Sequence, residues 1–112
     1  MKGKVVLISF PLDDLSSMKA RPAVCLTNPI GANQHITLAL ITSMIPSELL
    51  ETDIVINKNH PDFAISGLHK ASTIRLDHLI TLRQSLIMRE LGKFSEETQQ
   101  EILEKLLNFL RS

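Results

Sequence analysis

The sequence contains no tryptophan and no tyrosine, only four phenylalanines, and a single cysteine, Cys25. One cysteine excludes an internal disulfide framework and every multi-cysteine metal site, and it is typical of a reducing compartment, so we expect a cytoplasmic protein. No apolar run approaches the ~18 residues that a membrane span needs, and the short apolar stretch after Lys4 has no small-residue cleavage site behind it. The sequence therefore predicts neither a membrane-spanning helix nor a secretory signal.

Net charge is also missing, because twelve lysines and arginines balance twelve aspartates and glutamates. The balance hides a pattern: residues 1–35 carry four basic against two acidic side chains, and residues 70–93 carry five against two. Residues 48–62 and 95–112 are acidic. A fold could bring the two basic blocks together, although solvated charge scattered over a surface is the more common reason for such a distribution.

Familiar catalytic motifs are absent as well. The four histidines share no metal-ligand spacing, and the four glycines stand too far apart to form a phosphate-binding loop. The sequence contains no serine nucleophile elbow. We therefore expect a protein without metal or cofactor.

What the chain does have is a series of short, apolar and β-branched runs in its first three quarters. Its 112 residues correspond to a single domain over residues 1–112. Turn-forming or charged residues bound each run, and the predicted strands cover residues 5–10, 23–27, 36–41, 53–56, 72–76, 80–82 and 86–88. Many short strands at close spacing favour a small barrel or a sandwich.

The period of the apolar residues changes near the C-terminus. Gly92 is expected in a turn, and Ser95 is placed to cap a helix whose first turn carries Glu96 and Glu97. An apolar stripe at helical spacing follows and must cover the barrel or its open end. Its members are Ile102, Leu103, Leu106, Leu107 and Leu110.

Polar residues stand where predicted strands begin or end. Residues 19–22 (KARP) put two cations just before a strand, either as an ordinary charged loop or as ligands for an anion. Thr42 and Ser43 follow the strongest strand, where hydroxyls often act as caps. Arg75 and Asp77 alternate, so they project from one face of a strand, either as an ion pair or as a functional acid and base. The residues alone leave these alternatives open.

In their order and spacing, these segments resemble the MazF/PemK/Kid toxins of bacterial toxin–antitoxin systems over nearly the whole chain. The similarity rests on residues 19–24 (KARPAV), which look like the family's x-Arg-Pro signature, and on the apolar strand that ends at residues 41–43 (ITS). It continues with residues 67–77 (GLHKASTIRLD) and with residues 91–95 (LGKFS), which open the final helix. The resemblance implies a mainly β (α+β) fold: an SH3-like, PemK/CcdB-like small β-barrel with a C-terminal α-helix.

The resemblance also implies a function. It implies a homodimeric toxin that cuts single-stranded mRNA at a short sequence without a metal, so that translation and growth stop. A cognate antitoxin would neutralise it. The expected partners are thus a second copy of the chain, the antitoxin and RNA, with no membrane.

Individual site residues follow from the same resemblance. Arg21 matches the family's essential arginine and suits stabilisation of the phosphoryl oxygens, and Thr42 matches a hydroxyl needed at this strand end. Arg75 and Asp77 match the acid and base pair of Kid-like members. Because the pKa of arginine exceeds about 12, an electrostatic role suits Arg75 and the role of base suits Asp77. The implied RNA-binding residues are Ser16, Ser17, Lys19, Ser43 and Thr73.

Two alternatives remain open at this point. The same barrel serves CcdB-like toxins, which bind DNA gyrase and have no catalytic residues, and a degenerate member would bind only nucleic acid or its antitoxin. The matches at Arg21, Thr42 and the Arg75/Asp77 pair favour the RNA-cleaving branch.

Overall fold

A computed structural model describes residues 1–11 and 18–112 of the chain. Six strands form one antiparallel sheet in the order β4–β5–β3–β2–β1–β6. The strands are β1 (Lys4–Pro11), β2 (Met18–Cys25), β3 (His35–Thr42), β4 (Asp53–Ile56), β5 (Ser72–Arg83) and β6 (Ile87–Lys93). The helices are α1 (Phe63–Ser66) and α2 (Glu96–Arg111), and a short 3₁₀ turn (Gln84–Leu86) joins β5 to β6.

The fold is mainly β with a C-terminal helix, as expected, but the sheet does not close into a barrel. Strands β4 and β6 occupy its two edges, and no ladder of hydrogen bonds joins them within the described residues. The short helix α1, which follows β4, packs against β6 instead. Closure of a barrel would need a further strand pairing between these two edges.

Two glycines allow the close approach of α1 and β6. Gly67 ends α1 with a φ angle of 74°, and a β-carbon there would overlap the carbonyl oxygen of Leu91. A β-carbon at Gly92 would overlap the carbonyl oxygen of Ile65. The expected turn at Gly92 is therefore wrong, because this glycine lies inside β6 and serves backbone packing.

Strand β5 is a single strand where the sequence predicts two short ones. Its register against β3 shifts between Arg75, which pairs with Leu40, and Leu79, which pairs with Ala39. Residues 76–78 therefore form a bulge. A bulge accommodates extra residues without ending the strand, which explains why the polar residues in this segment do not interrupt it.

Two apolar clusters bury the centre of the sheet on both faces. The larger one includes residues of α2, and its buried members are Val5, Val24, Ala39, Ile41, Ile54, Ile56, Leu68, Ile74, Leu76, Phe94 and Ile102. The smaller one comprises Val6, Ile8, Ala23, Cys25, Ile36 and Leu38. Neighbouring residues of β1 and β2 belong to different clusters, as the alternation of side chains along a strand requires.

Helix α2 begins where the sequence predicts, with Ser95 accepting a hydrogen bond from the N–H of Thr98 at 3.3 Å. The buried Asp62 holds this cap in place, since its Oδ2 accepts from both the N–H and the hydroxyl of Ser95 at 2.8 Å. Burial raises the pKa of Asp62, but hydrogen bonds from Thr98 and Ser95 outweigh burial and keep this pKa below its ordinary value. The carboxylate thus ties α2 to the segment that precedes α1.

Only part of the predicted apolar stripe on α2 covers the core. Ile102 is buried and Leu106 packs against the larger cluster, whereas Leu103, Leu107 and Leu110 are exposed. Across residues 1–11 and 18–112, no helix has both the length and the apolar character needed to cross a membrane.

Candidate functional site

The strand register places two of the predicted site residues on one face of the sheet. The observed pairing of β2 with β3 ends at Ala23 and Leu40, and Arg21 lies beyond it, in the part of β2 that pairs with Ile8 of β1. Thr42 pairs with Thr73 of β5. Directly paired residues of antiparallel strands share a face, so Thr42 and Thr73 lie on the same face of the sheet.

The neighbouring row carries a charged cluster, which we define as Asp53, Arg75, Asp77 and His78. Arg75 pairs with Leu40 on one side and with Asp53 on the other. The Nε atom of Arg75 lies 3.1 Å from Oδ1 of Asp53 and 3.5 Å from Oδ1 of Asp77. The same oxygen of Asp77 lies 3.7 Å from Nε2 of His78. Arg75 therefore sits between two carboxylates.

Asp53 anchors the charged cluster. Its side chain is only 1% exposed, and its Oδ2 accepts a hydrogen bond from the N–H of Leu50 at 3.0 Å. Among the described residues, neither Oδ1 of Asp53 nor Nε of Arg75 has a hydrogen-bond partner of good geometry, so their close contact is an ion pair. A buried carboxylate is costly unless an opposite charge compensates it. Arg75 provides that compensation.

A second feature, which we call the basic cleft, opens where β2 and β3 separate. It has a volume of about 360 Å³ and lies between the start of β2, the end of β3, the segment after α1, and β6. Its charged lining consists of Lys19, Arg21, Lys70 and Arg89, together with His69, and no acidic side chain lines it among the described residues. The cleft thus presents charge of one sign.

The four cations of the basic cleft come from both basic blocks of the sequence. Lys19 and Arg21 belong to the first block, and Lys70 and Arg89 belong to the second. Within the part of the chain that is described, none of the four forms a salt bridge with a carboxylate. Like charges around one cavity repel each other, and a bound anion relieves that repulsion. The cleft is therefore suited to an anionic ligand.

Three of the predicted residues line the basic cleft. Arg21 is half-buried in it, and Lys19 and Ser43 are exposed along it. Thr42 lies next to the cleft without lining it, and its Oγ1 accepts a hydrogen bond from the N–H of Met44 at 3.2 Å. The hydroxyl proton of Thr42 remains available to donate.

The other predicted residues lie elsewhere. Arg75 and Asp77 belong to the charged cluster and do not line the basic cleft. The side chain of Thr73 is fully buried, and its Oγ1 has no hydrogen-bond partner among the described residues. Direct contact between Thr73 and an RNA would require its neighbours to move. Ser16 and Ser17 lie outside the described residues.

A metal centre and a reactive thiolate are not found in the described part of the chain. No group of three His, Cys, Asp or Glu side chains comes together there as a metal site requires. Burial raises the pKa of Cys25 to about 11, which keeps the thiol protonated and inert near neutral pH.

A model of the PemK-like, MazF-like toxins of type II toxin–antitoxin systems matches residues 1–110. The chain belongs to this family. A search of curated proteins found no match to this chain.

Solved structures share the fold of the toxin at low sequence identity. A chain of the MazE–MazF crystal structure (Form-III) from Deinococcus radiodurans superposes with a TM-score of 0.72 and 18% identity, covering 98% of this chain and 94% of that one. The Mycobacterium tuberculosis toxin MazF-mt6 gives a TM-score of 0.68 and 22% identity, covering 95% and 96%. An endoribonuclease from a mycobacterial species, solved in complex with its cognate antitoxin, superposes with a TM-score of 0.69 and 17% identity, covering 99% of this chain and 94% of that one.

Four residues of the toxin's two charged regions escaped the sequence analysis. The sequence identified Lys70 and Arg89 only as members of a basic block. His69 stands at no motif spacing from the other histidines. Asp53 stands in an acidic segment with nothing to mark it as the partner of Arg75. Only the strand register and the packing of α1 against β6 bring these residues to their positions.

Proposed function

We propose that this protein is the toxin of a toxin–antitoxin module and acts as a metal-independent endoribonuclease that cuts single-stranded mRNA at a short sequence. The observation that carries the proposal is the basic cleft, in which cations from β2, β6 and the segment after α1 surround one cavity of about 360 Å³. The phosphate backbone of RNA is a polyanion that such a cavity can bind. Membership of the family and the neighbouring mycobacterial endoribonuclease support this proposal.

Arg21 is the proposed centre of the reaction. In metal-free RNA cleavage, the 2′-hydroxyl attacks the adjacent phosphate and expels the 5′-oxygen, which leaves a 2′,3′-cyclic phosphate and a 5′-hydroxyl. Negative charge grows on the phosphoryl oxygens, and a preorganised cation lowers the free energy of that transition state. Arg21 is permanently charged and can donate two parallel hydrogen bonds to phosphate oxygens. The cations of the cleft then supply the charge stabilisation that a metal ion gives in other nucleases.

Thr42 and two residues of the charged cluster take the remaining roles in this proposal. Thr42, at the end of β3, donates its hydroxyl proton to the phosphate and orients it. Asp77 removes the proton of the 2′-hydroxyl as the general base. Arg75 acts by charge, because it lies between Asp53 and Asp77 and holds the Asp77 carboxylate in position.

We further propose that the toxin works as a homodimer in the cytoplasm and that a cognate antitoxin inhibits it. Large apolar side chains are exposed on the β3–β4 segment and on α2, as is typical of a protein interface. They are Met44, Ile45, Leu49, Leu50, Leu103, Leu107, Phe109 and Leu110. The basic cleft would accept an acidic, disordered segment of the antitoxin.

Sedimentation that shows a monomer at micromolar concentration would contradict the dimer.

The test is incubation of the purified protein with a long single-stranded RNA in EDTA, with the cut sites mapped by primer extension. We expect discrete cuts at a recurring short motif, with 2′,3′-cyclic phosphate or 3′-phosphate ends. The Arg21→Ala variant should lose these cuts. The matched control Arg83→Ala, which removes an exposed arginine at the far end of β5, should keep them. Intact RNA with the unmodified protein would overturn the proposal and make binding to gyrase the next measurement.

A further inference from the structure

The basic cleft contains a side chain that the proposed mechanism does not use. Lysine and arginine remain protonated at neutral pH and serine hydroxyls remain neutral, whereas histidine gains or loses a proton between about pH 5 and 8. Among the described residues that line the cleft, His69 is the only histidine. The proposed base, Asp77, lies in the charged cluster and does not line the cleft. A group that can deliver a proton inside the cleft is thus already present.

We propose that His69 is a catalytic residue of the toxin, namely the general acid that protonates the leaving 5′-oxygen of RNA. This inference rests on the proposed endoribonuclease function. The bond between phosphorus and the 5′-oxygen breaks, its electron pair goes to that oxygen, and the imidazolium of His69 supplies the proton. His69 then regains a proton from water, while the 2′-hydroxyl proton goes to Asp77.

His69 and the proposed base belong to different elements of the fold, which is compatible with this division of labour. The attacking and leaving oxygens lie roughly in line on opposite sides of phosphorus. The groups that exchange protons with them must therefore come from different parts of a site. His69 belongs to the cleft wall formed by residues 67–72, Arg21 belongs to the wall formed by β2, and Asp77 lies on the bulge of β5. The proposed base and the proposed acid thus come from separate elements.

The wall that carries His69 is firmly held on both sides. The neighbouring Leu68 is buried, and its N–H donates to Oγ of Ser66 at 3.2 Å. On the other side, the hydroxyl of Ser72 donates to the carbonyl oxygen of Lys70 at 2.8 Å. Preorganised positions of this kind are what a proton donor needs, since small displacements of a catalytic group cost rate.

The charged groups that face His69 in the cleft are all cationic. Lys19 and Arg21 come from β2, Lys70 is its neighbour in sequence, and Arg89 comes from β6. These cations attract the phosphate backbone but do not donate protons readily, so they do not replace the imidazole in its role. The alkaline limb of the rate profile should therefore depend on His69.

The experiment compares two substrates that differ in the leaving group. One is an oligoribonucleotide that contains the mapped cleavage motif, and the other carries sulfur in place of the bridging 5′-oxygen. A thiolate leaves without protonation, so cleavage of the sulfur substrate does not need a general acid. We expect His69→Gln to lower kcat on the oxygen substrate about 100-fold or more, with little change in KM, and to approach the unmodified protein on the sulfur substrate. The alkaline limb of its pH profile should be lost.

The matched control is His35→Gln, the same substitution at the start of β3, where the paired residue is Arg83 at the far end of the sheet. It should behave like the unmodified protein on both substrates. If His69→Gln keeps the full rate on the oxygen substrate, or is equally slow on both substrates while its thermal melting is unchanged, His69 is not the acid. If the unmodified protein cleaves neither substrate, the endoribonuclease proposal itself fails, which is a distinct result.

Discussion

The basic cleft and the charged cluster each hold an arginine of the family motif, but in opposite surroundings. Arg21 faces other cations in the cleft, whereas Arg75 lies 3.1 Å from one carboxylate and 3.5 Å from another. An arginine among like charges keeps its electrostatic attraction for an incoming anion, while an arginine between carboxylates already has its charge compensated. The comparison teaches that the same residue type can be left among like charges in one region and compensated by carboxylates in the other.

The largest effect that we expect from this comparison concerns Arg21. Replacement by alanine should lower kcat/KM for RNA cleavage about 10²- to 10³-fold, because a preorganised donor to the transition state is lost. The free energy of unfolding should stay within about 0.5 kcal/mol of the original, since Arg21 forms no salt bridge with any carboxylate among the described residues. Cleavage kinetics and urea unfolding of the same preparation measure both quantities. If Arg21→Ala lowered the free energy of unfolding by as much as it raised the activation free energy of cleavage, Arg21 would stabilise the fold as well. The contrast between Arg21 and Arg75 would then fail.

Asp53→Asn should affect stability most strongly. The amide keeps the shape of the side chain but leaves Arg75 without its nearest countercharge and weakens the bond from the N–H of Leu50. We expect the free energy of unfolding to fall by about 2–3 kcal/mol. Urea unfolding measures the change, and Glu51→Gln, at an exposed neighbour, provides the control. An unchanged unfolding midpoint would mean that the charged cluster does not stabilise the sheet.

Asp62 is a third case, because N–H and O–H donors rather than cations satisfy its carboxylate. Its lowered pKa means that the folded state binds fewer protons than the unfolded chain, so the stabilisation is complete above the ordinary value of 3.8 and disappears as the pH falls through the folded pKa. Asp62→Asn should cost about 1–2 kcal/mol near neutral pH through weakening of the α2 cap. The difference between the two proteins should shrink below pH 4 in thermal unfolding. If the difference in stability between Asp62→Asn and the unmodified protein did not change with pH, the ionised carboxylate of Asp62 would not be its cause.

The smallest effect concerns a cation of the basic cleft without a proposed chemical role. Lys70→Gln should weaken RNA binding several-fold and reduce the slope of log K against log salt by about 0.7, because one fewer counterion is released. Fluorescence anisotropy with an RNA carrying a 2′-deoxy nucleotide at the cut site measures this without cleavage. Lys58→Gln, at an exposed position outside the cleft, should leave the slope unchanged. A slope that is equal for the two variants would contradict a phosphate contact at Lys70.

Local patterns in the sequence determined much of the architecture. Short apolar, β-branched runs located strands, Pro11 marks the end of β1, and Ser95 with two acidic residues behind it located the start of α2. These signals act over a few residues, through backbone sterics, capping hydrogen bonds and the helix dipole, so they are readable without the fold. The placement of Thr42 at the end of β3 was readable for the same reason, whereas Arg21, expected just before a strand, lies inside β2.

Only the tertiary structure decided which of these residues meet. The pairing of Arg75 with Asp53, the approach of Gly67 to Leu91, and the gathering of two basic blocks around Arg21 all join parts of the chain that are far apart in sequence. Strand register and long-range packing set these contacts, and neither leaves a periodic signal in the sequence. The sequence by itself therefore determined the elements and their polar ends. The fold decided which charges are compensated within the protein and which face a common cleft.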